Sequence, residues 1–218
     1  MHLPLRHALL FLALLASACQ GTRKLTDPVL EIRSDNGAEL GVATDYGLVF
    51  LGRTARSGPI EVTAWFGDGP SVESTVVEPL GGGLFTAMTE IKLPCVPMSF
   101  ITPKPGSELI VIGRSGRARW EAKVRVRSDP KIEGLLLTIP GELAGHDEQL
   151  GAGVYVLDPL TGQKRLVGLV SGKVALTTAD GQHDEYLTAI GPSVMWRLLT
   201  FRRDYPHKRR FVYRDDIL

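Results

Sequence analysis

The chain has 218 residues, 44% hydrophobic and 22% charged, which is apolar material for one substantial core or two small ones and excludes a disordered chain. Its 25 basic and 24 acidic residues leave a formal charge of +1, so there is no global electrostatic case for nucleic acid, and such a partner would need a local patch. Two cysteines allow at most one disulfide, which excludes a framework of bridges.

Residues 1–18 read as a secretory signal. Arg6, flanked by His2 and His7, leads into the apolar run "ALLFLALLASA", whose 11 residues fall far short of the ~20 a membrane-spanning helix needs. The run ends in "LASAC", which resembles the lipobox of bacterial lipoproteins and implies that Cys19 becomes the lipid-modified, palmitate-bearing first residue of the mature chain. The family pattern has Leu, Val or Ile three positions before the cysteine, where this chain has Ala16. The alternative is an ordinary cleavable signal with an incidental cysteine. Gln20, rather than Asp, follows Cys19, and by resemblance to enterobacterial sorting this favours the outer membrane, facing the periplasm. If Cys19 is acylated, Cys95 in "IKLPCVPMSF" is left alone and reads as a buried apolar residue.

Residues 19–39 read as a tether followed by an edge segment. A succession of β signals comes next: "YGLVFLG", "IEVTAWF", "STVVEPL", "LFTAMTEIKL", "SELIVIG", "RWEAKVRVR", "GLLLTI", "GVYVLD", "RLVGLVSG", "KVALTT" and "YLTAI". They are short, often alternating, and divided by Gly, Pro, Asp and Ser turns. Such a series predicts an all-β barrel or sandwich, and periodicity alone does not choose between them. One helix is predicted, at "PSVMWRLLTFRR", where Val194, Met195, Leu198 and Leu199 share a face and Pro192 sits near the first turn. Residues 201–218 form a basic tail.

Five stretches, in order, resemble the trypsin-like fold of bacterial envelope proteases of the high-temperature-requirement type. "IEVTAWFGDGPSVESTVVEP" is similar to a strand pair with a "V-x-x-x-D-G" turn leading to "A-x-V-V". "FTAMTEIKLP" is similar to "D-L-A-L-L-K-I", which carries the family's aspartate, and "PGSELIVIGRSG" to "G-D-x-V-x-A-I-G-x-P-x-G". "GAGVYVLDPLTGQKRLVGLVSG" resembles "S-G-G-P-V-L-D-x-x-G-x-V-V-G-V-V-S-G", and "YLTAIGPSVMWRLL" resembles "F-A-I-P-x-x-x-V-x-x-x-L". The resemblance covers residues 40–200 and implies a trypsin-like double β-barrel with a C-terminal helix.

Acyl transfer on this fold needs a serine oxygen, a histidine to take its proton, a carboxylate to orient the histidine, and backbone N–H groups for the oxyanion. Aligning the shared "V-L-D" puts Ala152 at the serine, Gly153 after it, and Leu150 where the family has a glycine of the oxyanion loop. Alanine has no nucleophilic atom. The mature chain has no histidine between residues 20 and 145, where the family's general base would lie. The acid position falls near Phe85, and its neighbours Gly83, Leu84 and Thr86 carry no carboxylate either. The resemblance therefore implies a serine protease homologue without a catalytic triad.

Three other features bear on function. His146-Asp147-Glu148 and His183-Asp184-Glu185 repeat one acidic tripeptide, whose side chains suit a divalent metal or a solvated turn. A rearranged hydrolase would pair His146 or His183 with Ser115 or Ser171, although the resemblance puts Ser171 and Gly172 on the substrate-flanking strand. The stretch from Arg197 onward carries seven basic and three acidic residues, with Arg202, Arg203, Lys208, Arg209 and Arg210 interleaved with Tyr205, Phe211 and Tyr213. It suits anionic head groups or an acidic partner.

The expectation is an envelope lipoprotein, held to the membrane through its N-terminal lipid, whose inactive double barrel binds a peptide or protein. No cofactor and no nucleic acid are expected. The alternatives are a metal-dependent or rearranged hydrolase using the His146 and His183 loops, and a structural lipoprotein built on an unrelated β-sandwich.

Overall fold

The computed structural model describes residues 28–45, 47–67, 69–81, 83–91, 95–143, 150–177, 181 and 183–203. Cys19, His146, Asp147, Lys208, Arg209 and Arg210 lie outside the described residues, as do the side chains of Arg202 and Arg203.

Twelve strands are present among the described residues, in two sets of six. The first set is β1 (Val29–Ser34), β2 (Gly37–Thr44), β3 (Gly47–Phe50), β4 (Pro59–Phe66), β5 (Gly69–Gly81) and β6 (Leu84–Ala87). The second is β7 (Glu108–Ser115), β8 (Ala118–Arg127), β9 (Leu135–Thr138), β10 (Gly153–Leu157), β11 (Lys164–Thr177) and β12 (His183–Ile190). Each set closes on itself, in the orders β1-β2-β3-β6-β5-β4 and β10-β11-β12-β9-β8-β7. Read from β7, the second order repeats the first strand for strand. Closure pairs the strands around each barrel, and longer strands such as β11 run on past the closed part. The architecture is the all-β, trypsin-like double barrel that the resemblance implied, completed by helix α1 (Pro192–Arg203).

Alternation explains the strands. In β8, Ala122, Val124 and Val126 are buried while Lys123, Arg125 and Arg127 between them are exposed, so one face enters the barrel and the other meets water. Three boundaries differ from expectation. The signals "RLVGLVSG" and "KVALTT" merge into one strand of 14 residues, β11, bent by an irregularity between Val170 and Gly172. Among the described residues of "LFTAMTEIKL", Leu84–Ala87 is strand and Met88–Ile91 is not: there the Glu73 carboxylate accepts the N–H groups of Glu90 and Ile91 at 3.0 and 3.2 Å, replacing a backbone ladder. The segment assigned to tether and edge supplies β1, which pairs with both β2 and β4 and therefore has no free edge.

The core has two parts. Leu30, Ile32, Leu48, Phe50, Ile60 and Val62 fill the first barrel. A second cluster joins the inside of the second barrel to the outer face of the first, running from Leu109, Val111, Leu137, Leu169 and Leu187 to Val29, Leu40, Val42, Val49 and Leu51. The barrels are thus cemented by apolar burial. The connecting segment clasps both: the Val96 N–H bonds the Ala43 carbonyl at 3.0 Å, and the Leu166 N–H bonds the Pro97 carbonyl at 2.9 Å. Val96 faces the core, so its chain neighbour Cys95 is exposed, which corrects the expectation of a buried cysteine. In α1, Met195 is buried, and the exposed Trp196 stacks edge to face on Phe100 at 4.9 Å between centroids.

Candidate functional site

The turn before β10 lies between the barrels. Leu40, on β2 of the first barrel, donates its N–H to the Leu150 carbonyl at 3.0 Å. From the other side, Gly151 donates to Val170 at 2.8 Å, and Val170 donates back to Ala152 at 2.9 Å. Gly151 has φ +82°, and a Cβ there would stand 1.9 Å from the Leu40 oxygen, so only glycine fits. Ala152, on the nucleophile position by alignment, follows this clamp and is 0% exposed. Leu150 is half-buried and packs against the shared core.

Phe85 sits on β6 opposite Phe50 of β3, with ring centroids 6.2 Å apart. Its ring lies flat on Gly52, where a Cβ would come within 2.0 Å of the ring; Gly52 has φ +62° and is the residue that lets the chain pass beneath. A cleft of about 390 Å³ opens here, lined by Leu51, Arg53, Arg56, Gly83 and Phe85 from the first barrel and Ile190 from the second.

The loop carrying Arg53 and Arg56 is tightly held. Glu39, 3% exposed, accepts at Oε1 from the Thr54 N–H (3.0 Å), the Thr54 hydroxyl (3.1 Å) and the Ala55 N–H (3.2 Å). Ser34 Oγ donates to the Thr54 carbonyl at 2.9 Å, and Arg56 Nε donates to the Gly52 carbonyl at 2.8 Å. Ala55 is fully buried, so the two exposed arginines project from either side of an anchored turn. Neither arginine stands out in the sequence. "GRTARSG" has no periodicity and matches no catalytic spacing, and its partner Glu39 stands 15 residues before Thr54.

Ser171 is half-buried at the β11 irregularity and donates to the Thr188 hydroxyl at 3.2 Å. Beyond Val170, β11 pairs with β12 on one side, and among the described residues no strand pairs with its other edge along Ser171, Gly172 and Lys173. His183 is exposed, opposite Thr177, whose hydroxyl is 3.1 Å from Nδ1. Gly172 pairs with Thr188 and Thr177 with His183, so about five strand residues, or roughly 17 Å, separate Ser171 from His183. That distance does not permit a serine–base pair. Asp184, next along β12, points to the opposite face and accepts from the Tyr186 hydroxyl at 3.3 Å. No three His, Cys, Asp or Glu residues gather in metal-binding range among the described residues. Ser115 is exposed at the end of β7, paired with Ala118 and next to Gly116 of the turn, whose φ is +54°.

The hairpin after Ala152 is fastened by Asp158, which accepts from Leu160 N (3.0 Å), Thr161 N (3.1 Å) and Arg165 Nε (3.0 Å). The Leu160 and Thr161 N–H bonds foremost, with Arg165 behind them, hold its carboxyl below the usual range. Glu121 is held low in the same way by Lys164 and Arg119.

No family model and no curated protein sequence matches the chain. Solved structures do. The chain is similar to the MamO protease domain from Magnetospirillum magneticum, with 18% identity and a TM-score of 0.54 over 79% of this chain and 96% of that one. It is similar to a serine endoprotease from Yersinia pestis (15% identity, TM-score 0.53, covering 83% of this chain and 65% of that one). Kallikrein-related peptidase 10 matches at 15% identity and a TM-score of 0.52, over 82% of this chain and 97% of that one. At these identities the likeness is one of fold.

Proposed function

We propose that the chain is an envelope lipoprotein whose double barrel binds a peptide or protein segment without cleaving it. The observation that carries this reading is Ala152: the turn clamped between Leu40 and Val170 presents a methyl group, sealed from solvent, where acyl transfer on this fold needs an exposed oxygen. Two further facts support it. Residues 20–145, which include the whole first barrel, contain no histidine, and Phe85, near the acid position that the resemblance implies, offers an aromatic ring and no carboxylate.

Binding does not depend on those groups. The open edge of β11 at Ser171 and Gly172 offers backbone hydrogen bonds to an extended segment, and strand addition of this kind needs no triad. Cys19 would carry the lipid that holds the domain at the outer membrane, facing the periplasm, and the basic tail would contribute a second contact surface. A basic tail against anionic head groups would add an electrostatic contact to that lipid attachment.

A serine-reactive fluorophosphonate tests the catalytic half of this reading. The intact protein should remain unlabelled. Stoichiometric labelling that disappears on substituting one serine, Ser171 or Ser115 included, would make it a hydrolase. Metabolic labelling with palmitate, lost in Cys19→Ala, tests the anchor.

A further inference from the structure

We infer that the cleft between the barrels recognises the free carboxylate end of a peptide with an apolar last residue, an assignment that rests on the peptide-binding reading above. The lining divides by chemistry. Leu51, Phe85 and Ile190 make an apolar floor, and Arg53 and Arg56 stand exposed at its margin. Among the described residues neither guanidinium has a carboxylate in ion-pair range. Arg56 gives Nε to the Gly52 carbonyl, and among the described residues its two terminal nitrogens have no hydrogen-bond partner.

The positioning of these cations argues for a ligand. A solvated arginine on a mobile loop needs no support, yet this loop is fixed through a buried carboxylate, a serine and a glycine under an aromatic ring. Rigid presentation lowers the entropy lost when a guanidinium docks an anion, and the planar guanidinium fork matches a carboxylate at two oxygens. An apolar floor directly beside two cations selects an anion that carries its own apolar group. The last residue of a peptide has that form, because its carboxylate and side chain leave the same Cα. At about 390 Å³ the cleft lies toward the small end of ligand sites, which suits a chain end better than a segment running through.

Fluorescence anisotropy on the full chain in detergent tests this, with two N-terminally labelled tetrapeptide pools ending in Leu, Phe or Met. One pool has a free carboxylate and the other a C-terminal amide. The acid pool should bind about tenfold or more tightly than the amide pool, the change expected for one charge-assisted contact. The double variant Arg53→Gln, Arg56→Gln should reduce acid binding to the amide level. Arg125→Gln, at an exposed arginine on β8 that does not line the cleft, should change nothing. Equal affinity for the two pools, or full acid binding by the double variant, would overturn the carboxylate assignment and leave peptide binding standing. Absence of saturable binding to both pools would overturn this assignment and the peptide-binding reading together.

Discussion

Leu40 on the first barrel and Leu150 before the second are joined by one backbone hydrogen bond of 3.0 Å, and that bond presses β2 onto the turn that leads to Ala152. The two barrels therefore meet at the turn before Ala152, the residue that the resemblance aligns with the nucleophile of this fold. Everything on the far side of the turn is equally fixed, because Val170 bonds to both Gly151 and Ala152. A site so enclosed keeps its backbone geometry whether or not chemistry takes place there.

Gly151→Ala should be among the most damaging single substitutions. The new methyl would meet the Leu40 oxygen, and φ +82° is strained for any L side chain. The combined cost is about 3 kcal/mol or more, read as a lower midpoint in urea unfolding. Gly162→Ala, in the exposed β10–β11 turn with φ +68° but nothing near its Cβ, should cost less.

Ala152→Ser should not create a hydrolase. The added oxygen would enter a position with no exposure, and no histidine lies anywhere in the first barrel to take its proton. Ester hydrolysis by this variant should equal that of the parent chain. A serine-dependent rise in rate would mean that another group acts as base.

Glu39→Ala should loosen the cleft loop. It removes the acceptor for three bonds and leaves the Ala55 N–H in a buried setting without its partner, at a cost of about 2–4 kcal/mol. Glu39→Gln keeps an acceptor oxygen and should recover most of the stability. Amide hydrogen exchange at Thr54 and Ala55, fast in Glu39→Ala and slow in Glu39→Gln, is the direct readout.

Asp158 makes stability depend on pH in a known direction. Its folded carboxyl is held below the unfolded value of about 3.9, so the stabilisation is present above that value and is lost as pH falls through the lowered folded one. Asp158→Asn should accordingly lower the melting temperature at neutral pH, and the difference from the parent chain should shrink in acid. A difference that stays constant down to strongly acid pH would assign the effect to the hairpin's packing.

The architecture was largely legible because alternating strands such as Ala118–Arg127 state their inward face directly. Spacing to the shared "V-L-D" singled out Ala152, but its burial behind a turn clamped by Leu40 and Val170 comes from contacts distant in the chain. Other parts depended on contacts distant in the chain. That β1 closes a barrel is decided by its pairing with β4, Glu31 against Thr63 and Arg33 against Glu61, which no local pattern records. Cys95 faces water because Val96 turns inward to bond Ala43. The cleft itself joins Leu51, Arg53 and Arg56 to Gly83 and Phe85 and to Ile190, three separate segments whose individual sequences carry no motif.

The most direct test of the account is to incubate the purified full chain with the free-carboxylate peptide pool and follow binding by anisotropy and peptide integrity by mass spectrometry in one sample. The account predicts saturable binding with every peptide recovered intact. Cleavage of the bound peptides, abolished by substituting a single serine, would contradict it.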